Sequence, residues 1–130
     1  MTLRNVLQLV MGLGIVVTAC GSKPSAMDVC VKLEGAGVAA NCREGAKSGV
    51  AQAAKEVVEY DVPGLAGEGG VVMSFETSKT YDSTMRSYME LGSLNGKHRF
   101  GRKEKLVFTA INEQASEEAA AKAASVFEAL

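Results

Sequence analysis

The stretch KEVVEYDVPGLAGEGGVVMSFE, residues 55–76, decides the fold. Its first part alternates: Val58, Tyr60 and Val62 fall on one side, Glu59 and Asp61 on the other, the pattern of a half-buried strand. Pro63-Gly64 stops that strand, and the glycine-rich run to Gly70 is a turn or longer loop. Val71 to Glu76 supplies a second strand, with Val71, Met73 and Phe75 sharing a face. Two such strands joined by turn residues predict an antiparallel hairpin.

Helices are expected on both sides of this hairpin. Thr77 to Thr80 offers caps for a helix from about Thr80 to Leu91, whose inward stripe is Tyr81, Met85, Tyr88 and either Leu91 or Met89. Gly92 and Asn95-Gly96 punctuate its end. Leu106 to Ile111 is apolar on both faces, as in a central strand. Asn112 leads to a last helix capped by Ser116, with Glu117 and Glu118 in its first turn and Ala119, Ala123, Phe127 and Leu130 inward.

Upstream, Ser25-Ala26-Met27-Asp28 has the form of a capping box. Val29, Cys30, Leu33 and Ala36 follow at helical spacing, and Gly35 and Gly37 end the helix. Residues 43–54 are Gly/Ala-rich with little periodicity and receive no assignment. The expected architecture is a small single α+β domain over residues 26–130. It has an antiparallel sheet of about three or four strands, about three helices packed on it, and one disulfide.

Composition narrows the function classes. The chain has 130 residues, a formal net charge of −1, 5% aromatic residues and no Trp. Low aromatic content argues against base-stacking or sugar-stacking platforms, and the charge balance does not call for nucleic acid as a partner.

Residues 1–20 have the organisation of an export signal. Arg4 makes a short positive start, and Val6 to Val17 is an apolar run interrupted by Gln8 and two glycines. That run is roughly a dozen residues, short of the ~20 that a helix needs to cross a bilayer. A cleaved signal peptide over residues 1–19 fits better than a permanent span. Val17-Thr18-Ala19-Cys20 resembles the lipobox of bacterial lipoproteins: an aliphatic residue, two small residues, then Cys. The resemblance implies diacylglycerol transfer to the Cys20 thiol, cleavage before Cys20, and often acylation of the new amino group. Residues 20–25 would then be a lipidated tether. The membrane, through acyl chains on Cys20, becomes the first expected partner, with an envelope protein, lipid or cell-wall polymer as a second. Gly21 stands where such lipoproteins often carry an inner-membrane Asp signal. Its identity favours the outer membrane, facing the periplasm.

With Cys20 assigned to lipid, Cys30 and Cys42 are left as a pair. In an exported chain such a pair is expected to be a disulfide. A redox pair usually has CxxC spacing, and a metal site needs more Cys or His than this chain offers. The mature part also resembles small exported lipoproteins of uncharacterised activity. The shared features are the Cys-bearing first helix, the Gly37-Val38 step to Cys42, and Gly96-Lys97-His98-Arg99-Phe100-Gly101 before the closing strand and helix. This resemblance brings no activity with it.

Two other readings concern residues 97–105. Lys97, His98, Arg99, Arg102 and Lys103 are candidates for an anion or partner site, with flanking glycines that would let backbone amides approach. The plainer reading is a solvated loop whose charges blunt a sheet edge. His98, the lone histidine, is also the only base available to a small envelope enzyme. Ser93 is near it in sequence, but no nucleophile-elbow motif occurs. Glu56, Glu59 and Asp61 alternate like the solvent face of a strand, not like an acid/base pair. The glycines of 64–70 lack the Gly-Lys-Ser/Thr of a phosphate loop. No metal or cofactor is expected. The leading reading is therefore a lipid-anchored binding or structural module of the cell envelope.

Overall fold

A computed structural model describes residues 23–67, 69–91 and 98–130. Helix α1 (Ala26–Gly35) leads to strand β1 (Ala40–Glu44), a 3-10 turn (Gly49–Ala53), and strands β2 (Glu56–Asp61) and β3 (Gly70–Ser74). Helix α2 (Ser78–Leu91), strands β4 (Arg99–Arg102) and β5 (Val107–Ile111), and helix α3 (Glu117–Glu128) complete the order. Among the described residues the sheet has five strands in the order β1-β2-β3-β5-β4, one or two more than the sequence pattern suggests. Every neighbouring pair is antiparallel.

The expected β2–β3 hairpin forms, with Val58 opposite Val72 and Tyr60 opposite Gly70, so Val71 and Met73 share the face of Val57 and Glu59 and not that of Val58 and Tyr60. Within the basic stretch, residues 99–102 pair with β5 as an edge strand instead of forming a loop, Arg99 opposite Ala110 and Arg102 opposite Val107. The other edge, β1, escapes periodicity for a physical reason. It is five residues long, its inward positions are the small Ala40 and Cys42, and a bulge shifts its register between Ala40 and Arg43. Asn41 takes φ +55° in that bulge, a conformation Asn tolerates better than most side chains.

Helices cover both faces of the sheet. On one face α1 and α3 bury Val29, Leu33, Ala123 and Phe127 against Val58, Val72, Val107 and Ile111. On the other, Tyr81 of α2, with Met85 and Tyr88, packs on Val57, Met73, Phe75 and Phe108. Strand β5 contributes to both, which is why its sequence is apolar on both sides. The inward stripe of α3 runs through Ala120 instead of Ala119, and Met89 of α2 lies 74% exposed.

The ends of α1 are specified locally. Ser25 Oγ accepts the Asp28 amide while the Asp28 carboxylate accepts the Ser25 amide, a complete capping box. At the other end Gly37 takes φ +80°. Gly37 N donates to Glu34 O and Val38 N to Leu33 O, the paired bonds of a Schellman stop. That stop turns the chain back so that Cys42 in β1 meets Cys30 in α1, and the two form a disulfide across Cα atoms 6.2 Å apart.

Candidate functional site

The basic residues singled out by sequence sit on or beside β4, but the structure does not gather them around one point. Arg99 donates through Nη1 to the Tyr88 carbonyl near the end of α2. Arg102 donates to the carbonyls of Phe127 and Glu128 at 2.9 and 3.1 Å and also pairs with Glu104. Lys103 pairs with Asp82 of α2 at 2.9 Å. Arg99 and Arg102 thus cap the C-terminal ends of two helices, where unpaired carbonyls and the helix dipole favour a cation. Lys103 ties α2 near its start to the turn after β4. Replacing Arg102 by Met is expected to lower stability by about 1 kcal/mol, measured by urea unfolding, because two α3 carbonyls lose their donor. Lys97, Ser93 and Cys20 lie outside the described residues.

His98 is buried, 2% exposed. Its Nε2 lies 2.9 Å from the Ala115 carbonyl, which can only accept, so that nitrogen carries the hydrogen. Its backbone carbonyl accepts the Ile111 amide. Nδ1 is buried and has no partner among the described residues. A general base must reach a proton on its substrate. This ring instead pins the turn between β5 and α3 onto the edge strand.

A larger concavity among the described residues lies elsewhere. A cleft of about 790 Å³ opens on the α2 face, at the end of the sheet where β2 finishes and β3 begins. Its floor is Val57, Val71 and Ala110, and Ala51 of the 3-10 turn and Tyr88 of α2 contribute its apolar walls. Polar groups come from Arg43, Glu59, Asn112, Glu113 and Gln114. Sequence reasoning missed this site. Glu59 follows Val57 by two residues and so shares its face; among the described residues α2 covers Val57 and leaves the Glu59 end open. The signal was present in the alternation, but where the helix stops on the sheet is a tertiary fact.

Local packing shapes the cleft. Gly45 lies so close to Glu59 that a Cβ there would come within 2.7 Å of the carboxylate. Arg43 pairs with Asp61 at 3.2 Å and also donates to the Asn41 carbonyl. The Asn41 amide, followed by Arg43, holds the Asp61 carboxyl below its ordinary range. Tyr88 stacks at a tilt on Phe108, ring centroids 5.1 Å apart. Burial pushes its phenol up, and Arg99 offsets part of that. Its hydroxyl has no hydrogen-bond partner among the described residues. The floor is apolar, but polar atoms make up the larger share of the exposed lining, so the cleft suits a polar ligand or side chain.

Among the described residues no three His, Cys, Asp or Glu side chains converge as metal ligands, and no helix is long and apolar enough to cross a membrane. No family model, curated protein or solved structure matches the chain.

Proposed function

We propose that the chain is a lipoprotein of the bacterial cell envelope, anchored through acyl chains on Cys20, whose folded domain is a binding module. The observation that carries this reading is the Val17-Thr18-Ala19-Cys20 motif placed directly after an apolar run of signal-peptide length. The Cys30–Cys42 disulfide supports it, because such bonds persist in oxidising compartments outside the cytoplasm. It also leaves Cys20 as the single remaining cysteine of the three. Two or three acyl chains, at roughly 0.8 kcal/mol per buried methylene, hold a domain of this size stably at a bilayer.

The binding role rests on the 790 Å³ cleft, which combines apolar floor and polar rim. The outer membrane facing the periplasm is the proposed location, following Gly21 after the modified Cys. A detergent phase-partition assay on bacterial membranes tests the anchor. The wild type is expected in the detergent-rich phase and Cys20→Ala in the aqueous phase. Equal partitioning of the two would contradict lipidation at Cys20.

A further inference from the structure

The chain enters the described domain through Lys23, Pro24 and Ser25, and the surface around that point is hollowed and rimmed by lysines. One hollow of about 360 Å³ is lined by Lys23, Lys55, Glu76 and Lys105 around Leu106. A second, about 520 Å³, shares Lys23, Glu76 and Leu106 with it and adds Lys103 and Glu104. Lys23, Lys55 and Lys103 are exposed, and Lys105 is half-buried.

Lysines outnumber carboxylates three to two around the first hollow, Lys23, Lys55 and Lys105 against Glu56 and Glu76. Glu56 is turned inward, its Oε1 accepting from Ser74 Oγ at 2.6 Å and from the Ala26 amide at 3.2 Å. Lys55 and Glu76 are 3.8 Å apart with both side chains more than half exposed, a pairing that water and salt weaken. Lys103 holds Asp82 in a similarly exposed pair, and Glu104 is paired with Arg102. Lys23 and Lys105 have no carboxylate at ion-pair distance among the described residues. Met27, 37% exposed, projects from the first turn of α1 at the same end. The opposite end of the sheet lines its cleft with Glu59 and Glu113.

Chain length adds a constraint. Three peptide units separate Cys20 from Lys23, and they cannot span more than about 10 Å. That distance is comparable to the screening length at physiological salt, about 8 Å. An acylated Cys20 therefore holds the lysine-rimmed end where headgroup charge is felt.

We propose that this end is the domain's footprint on the membrane. Lys23, Lys55, Lys103 and Lys105 meet the phosphates of anionic phospholipid headgroups in the leaflet that holds Cys20. Met27 rests at the headgroup boundary, and the cleft at the far end of the sheet faces away from the bilayer. The inference rests on the lipid anchor proposed above, and adds to it an orientation and a class of lipid.

The test uses the lipidated protein reconstituted into vesicles of phosphatidylcholine alone or with phosphatidylglycerol. Flotation reports anchoring, and lysine acetylation followed by peptide mass spectrometry reports contact. Acetylation of Lys23, Lys55 and Lys105 is expected to slow at least about threefold in the anionic vesicles and to recover in high salt. Lys32 and Lys122, at the other end, serve as internal references and should not change. A Lys55→Glu/Lys105→Glu variant is expected to float equally well and lose the difference. Floating protein with the same labelling in both vesicles, or with Lys32 and Lys122 slowed instead, overturns the footprint alone. Protein that does not float overturns the anchor, and the footprint with it.

Discussion

Replacing Cys30 and Cys42 together by Ala lowers the free energy of unfolding by about 3 kcal/mol, the chain-entropy value for so short a loop. The pair is separated by 12 positions and links the first helix to an edge strand. The edge strand is the weak partner. Strand β1 is five residues long, bulged, and exposed at Asn41, Arg43 and Glu44, so little apolar burial holds it to β2. Cys30 is fully buried, and its truncation also leaves a small void beneath α1. Against a typical domain stability of ~5–15 kcal/mol the loss is large. Guanidinium unfolding of the oxidised, reduced and doubly substituted proteins measures it. A change under about 0.5 kcal/mol would mean that the disulfide does not constrain the unfolded chain.

Gly70→Val is expected to destabilise by about 3 kcal/mol or more, through collision with Tyr60. Tyr60 sits opposite Gly70 and lies across it, so a Cβ at residue 70 would occupy the ring's own space. The ring uses that gap to cross β3 and reach Thr109 of β5, with hydroxyl oxygens 2.7 Å apart. Thr109 donates onward to the Val71 carbonyl at 2.9 Å, so Tyr60 is the donor in the first bond. A side chain at 70 displaces the ring and breaks this three-strand link. Thermal unfolding checks the size of the effect, and a Gly70→Val protein as stable as the wild type would refute the packing.

The same phenol makes stability depend on alkaline pH. Burial pushes Tyr60 up to about 12 from an ordinary 10. The unfolded chain therefore releases this proton first. The contribution is complete below pH 10 and is lost as pH rises through 12. It amounts to about 2–3 kcal/mol in that window. Tyr60→Phe is expected to flatten part of the decline between pH 10 and 12. Tyr81 and Tyr88, whose phenols burial also raises, supply the remainder.

Much of this architecture was legible from residues 55–76 and from the helix punctuation. The hairpin, the capping box at Ser25 and the Gly37 stop follow from local chemistry that tertiary contacts do not override. The outer strands were not legible. Ala40 and Cys42 are too small to mark a buried face, and Arg99 and Arg102 read as solvated charge until the helix carbonyls they cap are in place. The candidate site was the least visible part. Glu59, Tyr88 and Gln114 come from three distant segments, and among the described residues only their tertiary arrangement opens the cleft between them. The proposed lipidation motif at residues 17–20 shows the opposite balance, since its reading depends on sequence alone.

The most direct test of the central claim is the intact mass of the protein purified from bacterial membranes. The expected species is residues 20–130 carrying acyl chains, less two hydrogens for the Cys30–Cys42 bond, with the acyl mass absent from Cys20→Ala. An unmodified chain that still holds residues 1–19 would contradict lipidation, and with it the membrane-anchored reading of this domain.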